Sequence, residues 1–268
     1  MKVKHIDEDQ FIHAMSGTAR QVRLVFDIET APLPDSALAL TYDSSDLKLP
    51  DPPGAFDPQS VKYGRMTDPK KRAAKLQECV NAHNAALSAY PHECARIQDE
   101  HWAKFKEKAA LDAMTGRVVA IGYGMPTGPD CKVFLHYGIE EDLLANFWET
   151  VTSPCLKSAA GHNIAGFDLP FLIKRSWIHQ MTPPPCINQY GRVEPPFKDT
   201  KTIWQCGNRG SLAKLDHIAA AMGIPGKLDG VTGDQFAQLL EDDKETADKY
   251  LTADVVATLR VAQRMRAL

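Results

Sequence analysis

Two acids lie inside one of the most apolar runs of this chain. Residues 21–29 read QVRLVFDIE, with Asp27 and Glu29 two positions apart. A run so rich in Val, Leu, Ile and Phe predicts a central strand. The period-2 pleat then puts both carboxylates on one face. A carboxylate in a hydrophobic strand is costly unless its charge is compensated. A divalent cation would compensate it, because carboxylate oxygens suit Mg²⁺ and Mn²⁺. For this segment alone, acids at a strand end turned to solvent are the other reading.

Two further segments carry residues of the same chemistry. Asp168 follows GHNIAGF (161–167), itself preceded by a short strand, and starts the helical run DLPFLIKRSWIHQM. Taken alone, an acid there needs no chemistry, since the helix dipole favours it. Tyr250 and Asp254 stand four apart on the last helix and so share a face. That spacing alone carries little. Neither GxxxxGK[ST] nor GxGxxG occurs, so nucleotide-cradling loops are not indicated.

The elements that must position these residues follow from pattern. A Pro- and Asp-rich stretch, 31–58, reads as an extended surface loop. Over 68–111 the positions Ala73, Leu76, Val80, His83, Leu87 and Tyr90 step by threes and fours along one face, which predicts helix. Pro91 is expected to end or kink it, with a second helix through Trp102 and Phe105, giving a helical hairpin or a kinked long helix. Strands at 117–125 and 131–138, a helix at 139–151, a strand at 156–163 and a helix at 168–181 come next. A Pro-rich loop (182–196) leads to a short strand near 197–202. Ser211 is expected to cap a helix to Gly223 whose buried stripe begins at Leu212. A short helix (233–240) and a long one (243–265) close the chain. That order argues α/β with a mixed sheet.

Six cysteines without a CxxC pair read as reduced thiols, which fits a cytoplasmic setting. Cys79, His83, His92 and Cys94 have ligand types that zinc uses, but their spacing fits no strong zinc pattern. Buried thiols and helix-surface histidines are the preferred reading. The chain of 268 residues has Lys+Arg 31 against Asp+Glu 34, a net charge of −3. Its isoelectric point near 6.3 excludes a protein that grips nucleic acid or anionic membrane by bulk positive charge. No run approaches the roughly 18 apolar residues of a membrane span, and the first fifteen residues lack the apolar core of a signal peptide. Charge is unevenly spread: residues 62–108 hold ten Lys/Arg and six Asp/Glu (+4), the remainder 21 against 28 (−7). The excess over 62–108 is either a solvated helical face or a basic arm over a nucleic-acid track.

Taken together, FDIET (26–30), GHNIAGFDLPFL (161–172) and YLTAD (250–254) resemble the three motifs of the DnaQ-like 3′–5′ exonucleases of ribonuclease H fold. Asp27, Glu29, Asp168 and Asp254 fall on that family's four metal-site acids. Tyr250 matches its tyrosine-bearing branch, since the histidine branch wants His at 249, which here is Lys. The middle motif is most similar to the proofreading domain of family B DNA polymerases, and 214–233 to stand-alone bacterial and phage proteins related to it. The resemblance implies a mixed sheet flanked by helices in a single exonuclease domain over 1–268. Its core lies at about 21–30 and 116–266, and 31–115 forms a Pro-rich loop and helical arm inserted after the first strand.

The implied reaction is hydrolysis of the terminal phosphodiester at a 3′ end to nucleoside 5′-monophosphates, with two Mg²⁺ or Mn²⁺ ions. The resemblance implies that Asp27 bridges both ions, with Glu29 and Asp254 on the nucleophile side and Asp168 on the other. A tyrosine of ordinary pKa, about 10, stays protonated at neutral pH, so Tyr250 is assigned to orienting the attacking water. Asn163 and Phe167 are expected along the track of the terminal nucleotides, Phe167 with a stacking face or as a core residue. Lys214 and Lys227, with Lys198, Lys201 and Arg209, are the candidate phosphate contacts. The expected substrate is single-stranded DNA or unpaired 3′ ends, ahead of RNA, as in DNA repair, with a replication or repair protein docked on the arm. A non-catalytic nucleic-acid-binding scaffold and a phosphoesterase for small nucleotides are the competing classes.

Overall fold

The computed structural model describes residues 2–17, 21–188, 190–208, 210, 212–225 and 233–268. In chain order its elements are β1 (Val3–His5), α1 (Glu8–Met15), β2 (Val22–Pro32), α2 (Asp35–Leu38), α3 (Pro69–Ala109), β3 (Gly116–Thr127), β4 (Asp130–Tyr137) and α4 (Glu140–Thr152). They continue with β5 (Leu156–Gly161), α5 (Asp168–Ile178), β6 (Phe197–Asp199), α6 (Thr200–Gln205), α7 (Leu215–Ala221), α8 (Phe236–Asp242) and α9 (Lys244–Arg264). The chain divides into two compact units, residues 1–38 with 109–268, and residues 39–108.

In the larger unit a six-stranded sheet runs β1-β4-β3-β2-β5-β6. The β2–β3 and β3–β4 pairs are antiparallel, while β1–β4, β2–β5 and β5–β6 are parallel. The strand predicted from its apolar density is thus central, although it is the second in the chain. Its alternation sorts the core. Leu24, Phe26 and Ile28 turn to one face, where Phe26 meets Phe147 of α4 edge-on with ring centres 5.0 Å apart. Val25 turns to the other, where it packs with Leu251, Val255 and Leu259 of α9.

The unit of residues 39–108 is built on one long helix. Of the two expected forms, hairpin and long helix, the long helix is the one found: α3 runs for 41 residues with Pro91 inside it. Pro91 removes one helical hydrogen bond and crowds a carbonyl, but no glycine or turn sequence follows to reverse the chain. The segment before the helix also braces it on both sides of the proline. Tyr42 packs edge-on against Trp102 and Phe105, the Tyr90 hydroxyl donates to Pro50 O (3.2 Å), and Phe56 lies on His83. Cys79, His83, His92 and Cys94 do not converge into a ligand set among the described residues. All six cysteines are free thiols, with Cys79 and Cys94 half-buried.

Other departures are local. The expected strand at 197–202 is strand only to Asp199, after which α6 begins. The next helix starts at Leu215 rather than 211, and Leu212 is 77% exposed rather than part of a buried stripe. Lys214, not Ser211, holds the N-cap position; Ser211 lies outside the described residues. Two elements at the N-terminus, β1 and α1, are too short and too polar to be expected from pattern.

Candidate functional site

Asp27 and Glu29 leave β2 on the face covered by α9, as the pleat requires. Their cross-strand neighbours on β3 are Gly122 and Ala120, too small to fill the space beside them. A Cβ at Gly122 would come within 2.6 Å of Val255 Cγ2, so α9 lies directly against the sheet here. Asp254, one residue before Val255, is thereby brought to the strand acids. The β2–β3 register shifts just after Glu29, a bulge that ends the regular pleat beside the site. One carboxylate oxygen from each of Asp27, Glu29 and Asp254 lies within 4.8 Å of the other two. Glu29 and Asp254 are buried and Asp27 is half-buried.

Asp168 opens α5 and stands beside this trio. Its Oδ1 accepts the backbone N–H of Ile28, the residue between the two strand acids, at 3.3 Å. Burial pushes the Asp168 carboxyl up to about 7, against the N–H groups of Asp168 itself and Ile28, with the Asp199 carboxylate adding to the rise.

Hard oxygen donors gathered this closely, two of the three carboxylates buried, fit a divalent cation. No other group of three ligating side chains comes together among the described residues.

A groove of about 560 Å³ opens over Asp27 and Asp254 and is lined also by Asn163, Lys201 and Lys214. Asn163 is in the left-handed region at φ 65°, and its Oδ1 accepts from Lys201 Nζ at 2.9 Å. Phe167 does not line the groove; it packs on Phe171 with ring centres 5.6 Å apart. Lys198 is exposed on β6 and is likewise absent from the lining. Lys227 and Arg209 lie outside the described residues. Tyr250 is buried one turn before Asp254, its ring 5.9 Å from that of Phe236.

One residue of the site has no signature in the sequence. Asp199 is buried, and its Oδ1 accepts the N–H groups of Asn163 (3.0 Å), Lys201 (2.8 Å) and Thr202 (3.3 Å), while Oδ2 accepts that of Ala165 (2.9 Å). It caps α6 and holds the loop that leads into Asp168. An Asp before TKT is a visible helix cap; its hold on a loop more than thirty residues earlier is not.

A model of predicted 3′–5′ exonucleases related to the exonuclease domain of PolB matches residues 132–268. The chain belongs to this family. The match spans about half of the chain and includes Asp168, Tyr250 and Asp254. An uncharacterized protein of Methanocaldococcus jannaschii is 31% identical over 146 residues, 53% of this chain and 77% of that protein. The fold resembles that of the family B DNA polymerase of Pyrobaculum calidifontis, with a TM-score of 0.51 and 19% identity. That alignment covers 60% of this chain but 23% of the polymerase, so the chain spans under a quarter of its length. The mixed six-stranded sheet with flanking helices is ribonuclease H-like, as the motifs implied. No helix among the described residues is long and apolar enough to cross a membrane.

Proposed function

We propose that this chain is a divalent-metal-dependent 3′–5′ exonuclease of the tyrosine-bearing branch. It shortens single-stranded DNA or unpaired 3′ ends and releases nucleoside 5′-monophosphates. The observation that carries the reading is the carboxylate trio of Asp27, Glu29 and Asp254, with Asp168 beside it, at the floor of a groove bearing two lysines. Asp27, Glu29 and Asp254 hold Mg²⁺ or Mn²⁺ together with Asp168. When bound, such ions lower the pKa of the attacking water and offset the charge that gathers on phosphorus.

The chain's own groups do the rest. Tyr250 orients the attacking water by hydrogen bond, from the helix face it shares with Asp254. Lys201 and Lys214 bring positive charge to the phosphates along the groove, and Asn163, held by Lys201, meets the terminal nucleotide. Water forms a new bond to phosphorus, the bond from phosphorus to the 3′ oxygen breaks, and that oxygen leaves as a hydroxyl on the shortened strand. Asp199 fixes the loop through which Asn163 and Asp168 are placed. In the same reading 1–268 acts as one exonuclease domain in the cytoplasm, and the arm carries a replication or repair partner.

The test uses 5′-labelled DNA and RNA oligonucleotides with Mg²⁺, Mn²⁺ or EDTA, beside Asp27→Ala. The expected result is a ladder shortening from the 3′ end that disappears with EDTA and in the variant. Binding without metal-dependent product in both proteins would replace this reading by the scaffold.

A further inference from the structure

A second hollow, apart from the acid site, lies at the C-terminal end of α9, the helix that carries Asp254 at its middle. It measures about 590 Å³ and is lined by Arg260, Arg264 and Arg266 on one side and by residues 223–225 on the other. Arg260 and Arg264 are four apart and share a face of α9, while Arg266 follows the helix end with φ 55°. The opposite wall is anchored, because Ile224 is buried against Ala257 and Val261 of the same helix.

Among the described residues no acidic side chain lines the hollow, and none of the three arginines forms an ion pair. The helix dipole favours cations at a helix C-terminus, which accounts for their presence there. It does not account for three arginines lining one cavity in a part of the chain that is otherwise net acidic. A guanidinium fork matches the paired oxygens of phosphate.

We infer that this hollow is a second, metal-free phosphate-binding site that holds the backbone of the nucleic acid whose 3′ end enters the acid site. The inference rests on the proposed nuclease reading for the identity of the ligand. At 1.5 Å of rise per residue, Arg260 and Arg264 lie about 9 and 15 Å along the axis from Asp254, beyond the terminal nucleotide. The arginines add affinity for longer strands and do not touch the bond that breaks.

The experiment measures binding of a 5′-fluorescein oligothymidylate of about 16 nucleotides, a length suited to single-strand binders, across a salt series, in the Asp27→Asn protein. Arg260→Gln with Arg264→Gln should flatten the slope of log K against log salt by about 1.4, at roughly 0.7 for each phosphate no longer neutralised. Arg260→Lys with Arg264→Lys should keep it. Arg266→Gln alone, at an exposed position, should flatten it by about 0.7 and serves if the double variant fails to fold. An unchanged slope in a folded glutamine variant overturns the inference. Pyrophosphate binding that depends on the arginines, with an unchanged oligonucleotide slope, also overturns it in favour of a free phosphate ligand. If the Asp27-intact protein hydrolyses no strand yet the slope falls, the nuclease reading fails and the phosphate site stands.

Discussion

The larger unit buries carboxylates in two places and treats them in opposite ways. Glu140, at the start of α4, is met by the Arg175 fork at 2.8 and 2.6 Å, by the Val118 N–H at 2.8 Å and by His179 at 2.8 Å. Burial would raise its carboxyl, but Arg175, Val118 and His179 together outweigh that and hold it below the usual carboxylate range. At the other place Asp27, Glu29 and Asp254 bring one carboxylate oxygen each within 4.8 Å of the other two, a set of hard oxygen donors. One arrangement is closed by the protein and ties α4, α5 and β3 together. The other gathers a donor set of the kind a divalent cation takes. Under the proposed function the two arrangements do different work, structural at Glu140 and chemical at the trio.

The largest break falls on the second site. Asp27→Ala should lower the rate of 3′-end hydrolysis by about 10⁴-fold, since metal stabilisation of charge is worth several kcal/mol and each 1.36 kcal/mol is tenfold. Its unfolding midpoint in the absence of metal should not fall. Arg175→Met should do the reverse. It leaves Glu140 buried without its cation and should cost about 3–5 kcal/mol in urea unfolding, whereas adding Glu140→Leu should return most of that loss. Hydrolysis per folded molecule should survive the pair.

A smaller effect is expected at Tyr250→Phe, which removes one hydroxyl and no carboxylate. The rate should drop roughly 100-fold, the lower end of general acid–base contributions, while Mn²⁺ affinity is unchanged. The pH dependence sharpens the contrast further. Glu140 has a folded pKa below its unfolded value, so the stability it contributes is complete above about 4.3 and is lost as pH falls through the folded value. Asp168, raised to about 7, has the opposite sign: the metal-free protein loses stability as pH rises from about 4 towards 7. Urea midpoints across that range should flatten in Asp168→Asn and keep their slope in Glu140→Gln.

The two sites also differ in how much of them the sequence disclosed. Asp27 and Glu29 were legible because the period of a strand fixes which residues share a face, and Tyr250 with Asp254 because a helix does the same. Glu140 read only as an acid in the first turn of a helix. Its partner Arg175 sits thirty-five residues away, on a face that no local period distinguishes. Asp199 was hidden for the same reason, since its acceptor role joins a six-residue helix to a distant loop. A helix that short shows no period. In the arm, the period of the apolar positions predicts helix correctly, and of the two expectations for Pro91, an end or a kink, the end is the one that fails. What keeps α3 helical through Pro91 is the packing of residues 42–56 along it, which a local reading does not weigh.

The central claim is that the carboxylate set, and not the Glu140 cluster, holds catalytic metal. Titrating the metal-free protein with Mn²⁺ and counting bound ions by electron paramagnetic resonance tests it most directly. Two ions per chain in the wild type, lost in Asp27→Asn and retained in Glu140→Gln, is the predicted result. No saturable binding, or binding that Asp27→Asn leaves intact, would contradict it.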